Sequence, residues 1–255
     1  MTTKLTVTEH EVDAILRVVH ARSNDEWRPQ LTAVQVAGGW AMASDSYRLA
    51  AHPIDVDGPP WWLPGEWLPL LPDGADVQVE LGDDWQRLHV GRHRFTTNRM
   101  KAEPIDWLKL TTRARGELHA GPPPHRITLN RDQLLAAIAR PFKGEHMSLV
   151  GLASTSVRRV LVAGEECTEV HPDGFADPGW LPPLAFNAPW LRALLRAHAD
   201  PWVTIEAWSS RSAVVVQEPD DEAGDPSLVQ ALMPVVGGLP PALTEKLTAP
   251  GKAAA

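Results

Sequence analysis

A single cysteine, Cys167, leaves this chain without an internal disulfide and without the paired thiols of a zinc ribbon or CxxC redox centre. No apolar run approaches the ~20 residues that span a bilayer. The N-terminal stretch MTTKLTVTEHEVDAILRVVH is too polar for a secretory signal. These absences predict a soluble, cytoplasmic protein that does not engage a membrane. Basic residues are also scarce: 24 Lys and Arg stand against 32 Asp and Glu, a formal charge of -8. Such a surface cannot coat nucleic acid all round, so any contact with a polyanion needs a local basic strip. A phosphate-cradling glycine loop is missing too, and ATP hydrolysis is not expected.

Aromatic usage is lopsided, with 11 tryptophans and one tyrosine. Trp61, Trp62 and Trp67 could form a base-stacking platform, but a large indole is more often packed into a core or interface, and packing is the reading adopted.

What is present is a repeat. Residues 4 to 7 read as a strand, after which Thr8-x-x-Glu11 forms a capping box and Val12, Ile15, Leu16 and Val19 share a helix face. The same grammar returns in RITLNRDQLLAAIAR (126 to 140), with Asn130 as N-cap, Gln133 three residues on, and Leu134, Leu135 and Ile138 inside. Leu5 and Ile127, like Thr8 and Asn130, are 122 positions apart.

The later elements of each half also match in order. LTAVQVAGGWAMAS (31 to 44) and MSLVGLASTSVRRVLVAG (147 to 164) read as hairpins, the first about a Gly-Gly turn. Short helices are expected at 63 to 71 and 186 to 199, with Pro64 and Pro189 in their first turns. Strand pairs come next at 76 to 98 and 202 to 218, turning at Gly82-Asp83-Asp84 and Ser209-Ser210. The expectation is an α+β protein of two repeated domains, each with two helices packed on antiparallel sheets. Its parts are domains at 1 to 115 and 125 to 237, a Gly/Pro linker at 116 to 124, and a flexible tail at 238 to 255.

Three separated stretches carry a family resemblance. ASDSYRLA (43 to 50), preceded by DEWRPQLTAV (25 to 34), resembles the ATDGHRLA segment of bacterial sliding clamps, the beta subunits of DNA polymerase III. LAFNAPWLRALLRA (184 to 197) is similar to that family's FNxxYLxxxL helix, and LVQALMPVV (228 to 236) to its terminal Met-Pro strand. The resemblance covers residues 4 to 236 and corresponds to the second and third domains of a three-domain family.

It implies a DNA clamp fold and a processivity factor without catalysis, cofactor or metal. Such a protein encircles duplex DNA irrespective of sequence and tethers a replicative polymerase in the nucleoid. Family rings have six like domains, so a two-domain chain implies a head-to-tail homotrimer. A separate clamp-loader ATPase would place it on DNA. A rival is a non-ring, clamp-like module acting as decoy or adaptor for clamp-binding partners, and a third is a hydrolase using scattered His and Asp.

By motif position the resemblance implies a groove for partner peptides lined by Leu31, Ser44, Ser46, Tyr47, Arg48, Leu49, Ile105, Lys109 and Leu110. Ala231, Met233, Pro234, Val235 and Val236 supply its other wall. Met and Leu adapt to varied apolar partners, and Arg48 suits a peptide carbonyl or carboxylate. Ordinary interdomain core would use the same residue types. Ser46 stands where the family usually has glycine, which bears on backbone angles there. The tail segment LPPALTEKL (239 to 247) could cover that groove.

For DNA the candidates are the helix cations Arg17, Arg22, Arg140, Lys143, Arg192 and Arg196, with Arg192 and Arg196 sharing a face at i, i+4. A solvated helix face is the plain alternative for each. His89 and His93 have helical ligand spacing but lie in strands, where it does not converge. HPDG (171 to 174) reads as a turn. DVDG (55 to 58) lacks the ligands of a calcium loop, because Pro59 and Pro60 come directly after it.

Overall fold

The computed structural model describes residues 2–72, 74–106, 125–143, 147–156, 159–171, 181–207, 213–218, 228–235, 241, 244 and 245. Two compact units divide the chain, Met1–Trp107 and Leu108–Ala255. The linker expected at 116 to 124 lies outside the described residues, as do Lys109, Leu110, Val236, Ser209, Ser210 and most of the tail.

In the first unit β1 (Thr3–Val7) leads into α1 (Glu9–Val18), and the capping box forms: the Thr8 N–H donates to Glu11 Oε2 at 2.6 Å. Helix α1 buries Val12, Ala14, Ile15 and Val18 against β3 (Trp40–Ser44) and β4 (Arg48–Pro53). Leu16 and Val19 are only half-buried; the helix tightens to a 3-10 turn at Val19–Ala21, and Val18 takes the inner position. Strand β2 (Val34–Ala37) pairs with β3 through Gly38 and Gly39, at φ +58° and +78°, the two left-handed positions a tight hairpin needs.

Several expectations are corrected. Leu31 is not in a strand: Pro29 opens a single helical turn, α2 (Pro29–Thr32), and β2 starts at Val34. The region 63 to 71 is not an α-helix. Trp61–Leu63 form β5 against β2, Pro64 is an N-cap, and Gly65–Leu70 make a 3-10 helix. Pro69 has no N–H to continue an α-helical ladder, which accounts for the tighter form. The pair expected at 76 to 98 is a triplet, β6 (Val77–Leu81), β7 (Trp85–Val90) and β8 (His93–Asn98), with the second turn at Gly91, φ +55°. The resulting sheets are β5-β2-β3-β4 and β1-β6-β7-β8, all antiparallel. Trp61, Trp62 and Trp67 are buried, as packing requires, while Trp27 is 94% exposed.

The second unit repeats the plan. Strand β9 (His125–Asn130) ends at the cap of α3 (Arg131–Ala137), where Asn130 Oδ1 accepts the N–H groups of Asp132 and Gln133. Strands β10 (Phe142–Lys143), β11 (Ser148–Ser156) and β12 (Arg159–Ala163) come next. The hairpin gains an unforeseen third strand, β13 (Cys167–Val170), paired with β12. Phe186 and Asn187 belong to β14 (Leu184–Asn187), which pairs with β11, so α4 is Ala188–Ala197 with Pro189 in its first turn. Strands β15 (Trp202–Ala207), β16 (Val214–Gln217) and β17 (Val229–Leu232) complete a run β17-β16-β15-β9.

Leu134 and Ile138 from the α3 end and Leu191, Leu194 and Leu195 from α4 share one core with Val150, Leu152, Val160, Val162 and Val170. A fully buried leucine is worth about 1.5–3 kcal/mol, so this cluster dominates the unit's stability. On the other face of β11 and β12 a smaller cluster joins Leu149, Ala153, Leu161 and Ala163, with Phe142 and Val235 against it.

Candidate partner-binding and DNA-facing surfaces

Between β3 and β4 the chain reverses within four residues, and polar bonds define every one of them. Ser44 pairs with Leu49 in the ladder, and the Asp45 N–H donates to the Arg48 carbonyl at 3.2 Å. Asp45 Oδ1 accepts the N–H groups of Tyr47 at 2.9 Å and Arg48 at 2.8 Å. Its Oδ2 takes Arg48 Nε and Nη2, both at 2.7 Å. Ser44 Oγ accepts the Ser46 N–H at 3.2 Å and donates to the Arg48 carbonyl at 2.8 Å.

These bonds hold Ser46 at φ +79°, the one left-handed non-glycine among the described residues. A side chain there costs roughly 1–2 kcal/mol of strain, which the Asp45 and Ser44 bonds must offset. Arg28 Nη1 also reaches Ser46 Oγ at 3.3 Å.

Arg48 therefore does not present an open guanidinium. It is ion-paired to Asp45, both side chains being nearly buried at 13% and 11% exposure. Asp45, absent from the groove residues inferred by motif position, organises the loop; its signal was the Asx turn and the Asp-x-x-Arg spacing. Tyr47 projects instead, at 59% exposure. Leu49 and Ser44 are buried, Leu31 is half-buried in α2, and the Ile105 N–H donates to Gln35 Oε1 at 2.7 Å.

In the second unit Ala231 lies buried in β17 opposite Val215, followed by half-buried Met233 and buried Pro234. The Val235 N–H donates to the Ala185 carbonyl at 2.9 Å, fixing the segment beside β14.

The six candidate cations are not alike. Arg192 lies on the shared face of α4, but its Nη2 donates to the carbonyls of Ile138 at 2.8 Å and Ala139 at 3.4 Å. It thus closes the C-terminal end of α3, where carbonyls lack helical partners. Arg140 pairs with Glu166 at 2.6 Å. Arg22 lies so close to Gly65 that a Cβ there would sit 2.8 Å from its Nη1. Arg17 is half-buried on α1, whereas Arg196 and Lys143 are exposed.

The end of α4 is pinned electrostatically. Glu218 Oε1 accepts the Ala199 N–H at 2.8 Å and the Asp200 N–H at 3.4 Å, with His198 Nδ1 at 3.8 Å. Burial pushes the Glu218 carboxyl upward, but the nearby His198 ring and the backbone N–H bonds from Ala199 and Asp200 outweigh it and hold the group down at about 2. Arg131 Nη1 secures the carbonyls of His198 and Ala199 at 2.5 and 3.1 Å. Among the described residues no three His, Cys, Asp or Glu converge on a metal site, and no helix is long and apolar enough to cross a membrane.

No protein-family model matches the sequence, and a search of curated proteins finds no match. Solved structures do match. The Bacillus subtilis DNA polymerase sliding clamp aligns with a TM-score of 0.73 at 19% identity, over 91% of this chain and 64% of that one. The fold is that of a sliding clamp.

The C. crescentus beta sliding clamp gives 0.72 at 21% identity over 92% of this chain and 65% of its own. The beta subunit from DNA polymerase of Streptococcus pyogenes gives 0.71 at 20% over 91% and 66%. The chain spans about two thirds of the length of these sliding clamps. Within the clamp fold, the helices of the second unit pack on one face of β11-β12, and the loop Ser44–Leu49 ends a hairpin of the first.

Proposed function

We propose that this protein is a DNA sliding clamp: a non-catalytic ring of like domains, a homotrimer, that encircles duplex DNA and tethers a replicative polymerase. The observation carrying this reading is the clamp fold over 91% of the chain. The two compact units, Met1–Trp107 and Leu108–Ala255, support two such domains per chain, and a separate clamp-loader ATPase opens the ring.

Sliding requires contacts that are phosphate-directed, weak and salt-dependent, because base-specific bonds would arrest it. Exposed Arg196 and Lys143 suit that role, supported by Arg17, Arg22 and Arg140. Arg192 serves it indirectly, by joining α3 to α4.

Partner peptides bind at the Ser44–Leu49 loop. Tyr47 offers an exposed aromatic ring, and Arg48 keeps a fixed direction because Asp45 holds it. The resemblance of the terminal segment assigns Met233 to Val236 to the same partner site, with Ile105, Lys109 and Leu110. Tail residues 239 to 247 compete for it.

The test is native mass measurement with particle imaging, together with retention on circular against linearised DNA. A trimer with a bore of about 20 Å or more, retained only on circular DNA, is expected. A monomer that still binds clamp-partner peptides would instead make the protein a decoy or adaptor. Replacing Tyr47 by Ala is expected to weaken peptide binding at unchanged mass, and loss of assembly would return the loop to a structural role.

A further inference from the structure

The outward face of the β1-β6-β7-β8 sheet is basic in a protein of net charge -8. Strand alternation puts buried Leu5, Val79 and Leu88 on the core side and turns their neighbours outward. One outward row crosses all four strands, from Lys4 to Glu80, Arg87 and Thr96. The adjoining row runs from Thr6 to Gln78, His89 and Arg94. Arg92 stands in the turn between β7 and β8, exposed like Lys4 and Arg94.

Within the four strands a single carboxylate lies on this face. Glu80 takes Lys4 on Oε1 at 3.1 Å, with Arg87 Nη1 and His89 Nε2 each 3.2 Å from Oε2. The Lys4 and His89 hydrogen bonds hold its carboxyl below the ordinary carboxylate range, so it stays ionised and committed. Beyond the strand ends, Asp76 accepts the Glu9 N–H at 2.9 Å and Asp84 pairs with Lys101 at 2.5 Å. Lys4, Arg87, Arg92 and Arg94 thus stand against one anion that is already shared. Arg87 is also braced: its guanidinium lies 4.9 Å from the Trp85 ring centroid, and its Nε donates to Thr96 Oγ1 at 2.9 Å. A Cβ on Gly82 would sit 2.3 Å from Trp85 Nε1, so the indole is covered by Arg87 and by the turn and offers no platform to a base.

The chemistry of the face selects its partner. Protein interfaces are anchored by a few aromatic or aliphatic side chains that become buried, and apart from the covered Trp85 this face presents none. Its remaining groups are the hydroxyls and amides of Thr6, Gln78, Thr96 and Asn98, which like Arg and Lys bond phosphate oxygens without reading sequence. We infer that this face binds the phosphodiester backbone of single-stranded DNA, without base preference. Neighbouring strands lie about 4.8 Å apart, so the cations from β1 to β8 are spread over roughly 14 Å. A flexible single strand can bend successive phosphates onto that spread, whereas a straight duplex meets a flat face along a narrow ridge. The site stands on the first unit alone and depends neither on ring closure nor on the helix cations proposed for duplex DNA.

The test titrates a fluorescent oligo(dT) of about 20 nucleotides with the full-length protein at low salt. Binding is expected with a log-log salt slope of about 2 to 3, the counterion release of three or four phosphates on a single strand. An abasic strand of the same length should bind within about threefold, since phosphates carry the contact. Arg92→Glu combined with Arg94→Glu should weaken binding at least about tenfold, with folding checked by denaturant unfolding. Thr6→Lys adds a cation to the row of His89 and Arg94, and should tighten binding about threefold with a slope steeper by about 0.7. A gain of that kind cannot come from misfolding.

Binding that survives the double reversal, or that Thr6→Lys fails to tighten, would overturn the assignment. A duplex of equal length that binds as tightly would overturn the choice of a single strand. Displacement of the oligonucleotide by poly-Glu at equal charge would overturn the choice of nucleic acid and make the partner an acidic protein. Native mass and retention of wild type on circular duplex DNA test the ring separately, so either the ring or this face can fail while the other stands.

Discussion

Asp45 holds Arg48 with two 2.7 Å contacts from one carboxylate oxygen while its other oxygen accepts the backbone N–H groups of Tyr47 and Arg48. One side chain thus sets both the backbone of the loop and the direction of its cation. Replacing Asp45 with Ala leaves a nearly buried guanidinium and two N–H groups without that acceptor. We expect a stability loss of about 1–3 kcal/mol by denaturant unfolding. Partner-peptide affinity should fall with unchanged native mass.

Ser46 at φ +79° is strained in a way glycine is not. Ser46→Gly is expected to raise stability by roughly 0.5–1 kcal/mol, because relief of strain exceeds the loss of a long, exposed bond to Arg28. Ser46→Ala keeps the strain and should be neutral or destabilising. Thermal unfolding of the three proteins checks the order.

Arg192 and Arg196 share a helix face but should respond differently to charge reversal. Arg196→Glu is expected to shorten retention on circular DNA with unfolding unchanged within about 0.5 kcal/mol. Arg192→Glu should cost about 1–3 kcal/mol, since it places an anion at the carbonyls of Ile138 and Ala139. Equal effects of the two on stability would remove the distinction between a DNA-facing cation and a structural one.

Glu218 gives the second unit an acid limit. Its folded pKa of about 2 lies below the ordinary 4.5, so its contribution is complete above pH 4.5 and is lost as pH falls toward 2. After discount for solvent, the contribution is roughly 1–2 kcal/mol. Unfolding followed across that range should show a slope that Glu218→Gln removes.

The core of the second unit should be intolerant of truncation. Leu134→Ala or Leu191→Ala removes a side chain at or below 1% exposure and should cost about 2–5 kcal/mol by denaturant unfolding. Ala136, exposed on the same helix as Leu134, should accept Ser within about 0.5 kcal/mol.

Local chemistry made much of the fold legible in advance. The Thr8 and Asn130 caps, the Gly38-Gly39 turn and the apolar positions of α3 and α4 are each written in a few neighbouring residues, because caps, tight turns and helix faces are short-range devices. The repeat was legible for the same reason. Strand β13 and the Trp61–Leu63 strand were not, because each is defined by its pairing partner, Arg159–Ala163 and Val34–Val36 respectively. At the site, residue types and motif positions pointed to Tyr47 and Arg48. That Arg48 is bound to Asp45, and Arg192 to the end of another helix 54 residues earlier, depends on where side chains of separate segments arrive.

By itself, then, the sequence determined the α+β repeat, the caps, the turns and a loop of unusual polarity, since those stem from backbone sterics and hydrophobic period over a few residues. Only the tertiary structure decided which cations remain exposed and which are consumed as structural donors. A charge's role is set by the carbonyl or carboxylate the fold brings within hydrogen-bonding reach of it, and no short stretch of chain encodes that distance.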